Sequence, residues 1–199
     1  HDCRHHRARA PSTQTVEGYR LKKPRKLLID ADLVIFRQCA AIEREVKWSS
    51  VSGDETDEDI WTLVSDAGEA FAGVERAIDR LTTRFETDDV LLCLSEGRNF
   101  RYSVDETYKA NRKATRKPAC YNEVVKRACE TWPHFSFPGL EADDVLGIFA
   151  SRDPNTVLCS EDKDMKTIPC TLWAQGKVQK IDRATADRWF FYQVLVGDT

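Results

Sequence analysis

No stretch of this 199-residue chain approaches the run of about 18 apolar residues that a membrane-crossing helix needs, so a water-soluble protein with no membrane partner is expected. The chain also lacks any Cys-x-x-Cys pair and any Cys/His pattern of zinc-ligand spacing, which excludes the usual thiolate zinc sites. Its seven cysteines, at positions 3, 39, 93, 120, 129, 159 and 170, are an odd number, and no signal-peptide pattern precedes them. Both facts argue against a disulfide framework and for a reducing, cytoplasmic compartment. Several thiols lie in apolar runs such as VLLCLS and TVLCS, where buried free cysteines are expected. No internal repeat is visible.

What is present is ordinary in amount and unusual in arrangement. Hydrophobic residues make up 41% and charged residues 32%, the composition of a globular domain long enough to bury its own core. The net charge of −3 argues weakly against a polyanion partner, but the charges are segregated along the chain. Residues 1–22 are basic, polar and without apolar periodicity, and are set aside as a flexible tail or artefact. The folded domain is expected over 23–199.

KLLIDADLVIF is a short apolar run ending in Asp30 and Asp32, the pattern of a buried strand entering a loop or helix. REVKWSSVSGDETDEDIWTLVS alternates, breaks at an acidic stretch and alternates again, which predicts a hairpin with a solvated turn. From Ser65 onward, Phe71, Val74, Ile78, Leu81 and Phe85 recur at spacings of three and four behind the D-x-x-E signature of Asp66 and Glu69. That predicts an amphipathic helix of about 20 residues. DVLLCLS reads as a second buried strand, YNEVVKRACETW as a helix stopped by Pro133, and EADDVLGIFAS as another helix. A strand at TVLCS, a short helix at EDKDMKTI, a strand pair at TLWAQGKVQKI and a helix at ATADRWFFYQVLV follow. Continuous apolar strands alternating with helices indicate an α/β domain with a mainly parallel central sheet.

Ligands of such sheets bind outside the carboxyl ends of the strands. Acids collect at three of those ends: Asp30 and Asp32, then Glu96, then Asp162 and Asp164. The EADD turn adds Glu141, Asp143 and Asp144, and Asp198 follows the last helix. Any one of these is more often a helix cap than a ligand. Capping, however, needs one acid per helix, whereas eight are spread over this domain. Crowded ionised carboxylates repel one another unless protons or cations neutralise them. Hard oxygen ligands select Mg²⁺ or Mn²⁺, and carboxylate-rich sites commonly hold two ions about 3.5–4 Å apart around a phosphoryl group.

The positive charge sits in YKANRKATRK, which carries Lys109, Arg112, Lys113, Arg116 and Lys117 with no acid, and Tyr108 beside them as an aromatic platform. If helical, this segment would place Lys109, Arg112 or Lys113, and Arg116 on one face. Cations next to a stackable ring suit a phosphate backbone and its bases.

LLIDAD, YKANR, GLEADD, SEDKDM and YQVLVGDT occur in the order of the 5′-nuclease superfamily, and the chain resembles in particular the phage 5′→3′ exonucleases related to flap endonucleases. The resemblance runs from about Lys26 to the last residue. It implies a PIN-like α/β fold with a basic helical-arch insertion over about 103–119, lacking the C-terminal helix-three-turn-helix region that grips duplex DNA. It implies two divalent ions hydrolysing DNA phosphodiesters near free 5′ ends or 5′ flaps, with RNA–DNA hybrids as a further substrate class. The implied metal ligands are Asp30, Glu96, Glu141, Asp143, Asp144, Asp162, Asp164 and Asp198. Glu96 stands where the family usually has aspartate. The implied catalytic residues are Lys109, Arg112 and Asp144, with Tyr108, Lys113, Arg116 and Lys117 completing the nucleic-acid contacts, and a monomer is expected. The alternatives are a PIN-type ribonuclease and a non-catalytic nucleic-acid-binding fragment.

Overall fold

The computed structural model of the chain describes residues 26–48, 60–109 and 116–197. Leu27, Leu28 and Ile29 of the first strand are all 0% exposed, which happens only when both faces of a sheet are covered. Strand β1 (Lys26–Asp30) accordingly lies in the middle of a six-stranded sheet. It is flanked by β4 (Val90–Cys93) and β6 (Thr156–Cys159), both parallel to it. The edge on the β4 side is β5 (His134–Phe135), and on the other side come β7 (Cys170–Ala174) and β8 (Lys177–Ile181). Only the β7–β8 pair is antiparallel. Its two-residue turn, Gln175 and Gly176, has φ of 51° and 73°, the left-handed pair that a tight hairpin requires.

Successive strand residues point to opposite faces, so the sheet divides its apolar residues between two cores. Leu27, Ile29, Val90, Leu92 and Val157 face α1 (Ala31–Ile42), α2 (Ala67–Phe85) and α4 (Tyr121–Thr131). Leu28, Leu91, Cys93, Leu158 and Leu172 face α5 (Ala142–Arg152) and α6 (Arg183–Val196). The result is a three-layer α/β/α sandwich.

Helix α2 begins at Asp66, whose carboxylate accepts the N–H groups of Gly68 at 2.7 Å and Glu69 at 2.9 Å. The expected hairpin is present as β2 (Arg44–Trp48) paired antiparallel with β3 (Ile60–Val64) outside the main sheet; its acidic turn lies outside the described residues. Six cysteines are described, all free and four of them buried. No helix among the described residues is long and apolar enough to cross a membrane.

Three features differ from expectation. The two-residue edge strand β5 is too short to leave an alternating pattern. The short helix after β6 is a 3₁₀ turn over Lys163–Thr167, and an unexpected one-turn helix, α3 (Arg101–Val104), opens the basic segment. That segment is not helical at its described ends. Lys109 has φ 53°, and residues 116–118 form no regular structure, so the single basic face predicted from helical spacing is absent there.

Leu158 is fully buried between β1 and β7. Leu158→Ala should lower unfolding free energy by about 2–5 kcal/mol with little change in the urea m-value, measured by equilibrium denaturation.

Candidate active site

The acids gather where strands give way to helices, because the first turn of a helix has unpaired N–H groups that a carboxylate can satisfy. Asp30 ends β1 and caps α1, accepting the Leu33 N–H at 3.1 Å and the Ser160 hydroxyl at 2.7 Å. Asp162 follows β6 and caps the 3₁₀ turn, accepting the Asp164 N–H at 2.9 Å. Glu141 caps α5 in a reciprocal box with Asp144, whose carboxylate accepts the Glu141 N–H at 3.0 Å. The sequence-based choice between cap and ligand thus has a double answer: the acids are caps, and capping is what brings them to one edge.

Basic side chains then divide these acids into two groups. Arg101 donates from both terminal nitrogens to Asp144, at 2.8 and 2.7 Å, and reaches Glu141 at 3.4 Å. Lys109 sits 2.6 Å from Glu141, which also accepts from Asn99 at 2.6 Å and the Tyr108 hydroxyl at 2.9 Å. The Arg101 guanidinium holds the Asp144 carboxyl below the usual range. Burial opposes the charge on Lys109, but Glu141 wins and raises its pKa.

Asp30, Asp143 and Asp162 have no such relief. Burial raises Asp30, its bonds to Ser160 and Leu33 only partly offset that, and Asp32 and Asp162 push it further. Asp143 is pushed up to about 7 by burial, then by the charges of Asp30, Asp162 and Glu141, with Lys109 as the one opposing influence.

Two clefts meet at this point. One of about 970 Å³ is lined by Arg101, Asp144, Ser151, Arg152, Asp164 and Thr167 among others. The other, about 550 Å³, is lined by Asp30, Asp32, Phe36, Arg116, Lys117 and Tyr121 among others. Lys109, Glu141, Asp143 and Asp162 line both and form the partition between them.

The donors are all carboxylate oxygens and their charge is only partly cancelled, a chemistry that fits a hard divalent cation. Among the described residues, no three His, Cys, Asp or Glu stand in ready-made ion-holding geometry. The fit therefore lies in charge and donor type, and side-chain adjustment would complete it.

The structure does not bring Glu96 to the other acids. Its main chain bridges to Pro138 at the sheet edge and its exposed carboxylate accepts the Ser136 hydroxyl at 2.7 Å, so it lines neither cleft. Ser95 lines the second cleft instead, giving its N–H to Asp32 at 3.0 Å while its hydroxyl accepts from the Ala142 N–H at 2.9 Å. Asp32, expected at the strand end yet not chosen as a ligand, also accepts the Tyr121 hydroxyl at 3.0 Å. Asp144 is in place, but both its oxygens are held by Arg101, so it braces the site in this conformation.

Of the basic residues, Lys109 faces the acids. Lys117 lies over the Tyr121 ring, 4.1 Å from its centroid. Arg116 is clamped on Glu43 by two bonds of 2.9 and 2.5 Å, which ties the basic segment to the end of α1. Arg112, Lys113 and Asp198 lie outside the described residues. Sequence reasoning missed Arg101, Asn99, Ser160, Glu43 and Gln193, which bond to the acids or the basic segment from other elements. Only Arg101 left a signal, as a second cation in EGRNFRYS beside YKANR.

A mainly parallel three-layer sheet with carboxylates along its C-terminal edge and a basic segment beside them defines a PIN-like nuclease domain. The chain belongs to the 5′-3′ exonuclease N-terminal resolvase-like domain family, whose model matches residues 25–187. It is 34% identical over 186 residues to the exodeoxyribonuclease of Enterobacteria phage T3, and 33% identical over the same length to the exonuclease of Escherichia phage T7. Each alignment covers 86% of this chain, and the chain spans 59% of each relative's length. Among solved structures, the bacteriophage T5 flap endonuclease in complex with DNA and metal ions superposes with a TM-score of 0.60 at 15% identity, over 87% of this chain and 66% of that one. The same T5 protein crystallised with metal ions gives 0.59 at 17% identity. At these identities the T5 structures establish a shared fold.

The raised Asp143 carboxyl has a measurable consequence for stability. An acid whose folded pKa exceeds its unfolded value contributes stability at low pH that is lost as pH rises, here between about 4 and 7. In metal-free buffer, Asp143→Asn should therefore unfold at a higher temperature than the parent at pH 8, with the difference shrinking towards pH 4, as read by scanning calorimetry.

Proposed function

We propose that this chain is the catalytic portion of a divalent-metal-dependent 5′→3′ exonuclease or flap-type endonuclease that hydrolyses DNA phosphodiesters near 5′ ends, with RNA–DNA hybrids as a further substrate. The observation that carries the proposal is the uncancelled charge of Asp30, Asp143 and Asp162 at the partition of two clefts whose walls also bear Lys109, Arg116 and Lys117. Membership of the exonuclease family and two relatives named as exonucleases support it.

Asp30, Asp143 and Asp162 would hold one Mg²⁺ or Mn²⁺, and Asp164 with Asp198 would bias a second. Such ions polarise a phosphodiester and ease deprotonation of an attacking water. The rest of the task falls to the chain itself. Lys109 is near both the acids and both clefts, so a scissile phosphate entering either one meets its ammonium, and negative charge developing on that phosphate is offset there. Tyr108 and Asn99 keep Glu141 oriented when Lys109 turns to a phosphate. Arg101 anchors Asp144, keeping the start of α5, and with it Asp143, in place. Lys117, and Arg116 once it leaves Glu43, supply backbone contacts beyond the scissile bond, and Arg112 and Lys113 belong to the same basic set.

The substitution Asp143→Asn tests this reading without confusing chemistry with folding, because it should raise stability at pH 8. Cleavage of 5′-labelled single-stranded and 5′-flap DNA with Mg²⁺ should fall by more than about a hundredfold while DNA affinity in EDTA stays within about threefold. Cleavage at the parent rate would overturn the assignment, and faster digestion of matched RNA by the parent would move it to a ribonuclease.

A further inference from the structure

The two acid pairs are restrained in different ways. Glu141 and Asp144 are held by Lys109 and Arg101, full cations that cancel the charge they orient. Asp164 is held by Gln193, whose amide donates to the Asp164 carboxylate at 2.6 Å. A neutral amide fixes a carboxylate oxygen and leaves the negative charge in place.

Gln193 is well placed for this. It lies half-buried one turn before the end of α6, and its carbonyl accepts the Gly197 N–H at 2.8 Å where the helix closes. A second fastener joins the same two elements: the Lys166 ammonium lies 4.6 Å from the centroid of the Trp189 ring. Asp164 in turn donates its N–H to Asp162, so a restraint on Asp164 also bears on the acid that lines both clefts.

We propose that Gln193 is the positioning residue for Asp164, an uncharged tether from α6 that holds the Asp162–Asp164 pair in cation-binding orientation without neutralising it. This rests on the functional reading above, in which that pair takes part in holding a divalent ion. Partners of this kind, bonded to a ligand and not to the ion, typically change metal affinity about 10–100-fold when removed.

Calorimetric titration of the chain with Mn²⁺ alone tests it, using two variants whose folding is checked by circular dichroism and melting temperature. Gln193→Leu removes the donor and should weaken Mn²⁺ binding at least about tenfold with little change in melting temperature. Gln193→Lys restores a donor but brings a charge, and should weaken binding at least as much. Parent affinity in either variant overturns the proposal and leaves the nuclease reading standing. A parent chain that takes up no Mn²⁺ at millimolar concentration overturns both.

Discussion

The mutual repulsion of Asp30, Asp143 and Asp162 is the constraint around which this domain is organised. Each lies at the beginning of a different helix or turn, and each arrives there because β1, β6 and α5 meet at the same edge of the sheet. A buried carboxylate near two others is unfavourable, and the fold tolerates it because each acid belongs to a local structure that would form anyway. Asp30 and Asp162 satisfy helix-start N–H groups, and Asp143 lies in the first turn of α5, where the helix dipole favours negative charge. The dipoles lessen the cost without cancelling it, as the elevated Asp143 carboxyl shows.

Around this trio the chain distributes compensation selectively. Glu141 and Asp144 receive cations from the segment that begins at Arg101 and turns back at Lys109, and Asp32 receives a phenol and a backbone N–H. Because Lys109 is both a partner of Glu141 and a wall of both clefts, the basic segment and the acidic edge form one electrostatic unit. A phosphate would compete with Glu141 for Lys109, and a cation would compete with Lys109 for Glu141. Substrate and metal therefore favour the same rearrangement.

Much of this was legible in the sequence, for reasons that differ by element. The buried strands announced themselves because a strand covered on both faces must be continuously apolar, as LLI, VLLC and TVLC are. The acids of β1, β6 and α5 were legible because a strand end in a parallel sheet has a fixed location. Glu96 failed under the same rule. It stands beyond β4, where Ser95 takes the inward place and the next residue turns to Ser136, a one-residue difference that alternation makes decisive. The helical reading of YKANRKATRK failed at Lys109 and Arg116 because helical spacing assumes a helix, whereas the positive φ of Lys109 and the hold of Glu43 on Arg116 fix a different path. Arg101, Asn99, Ser160 and Gln193 carry no periodic signature, since each acts through one long-range bond that only the fold creates.

The most direct measurement of this account is the ionisation of Asp143, followed by carboxyl-carbon NMR in metal-free protein. The account predicts a midpoint near 7, moving towards the ordinary carboxylate range in Asp30→Asn, where one of the neighbouring charges has been removed. A midpoint near 4 in the parent, unmoved by that substitution, would show that these acids do not feel one another and would contradict the account.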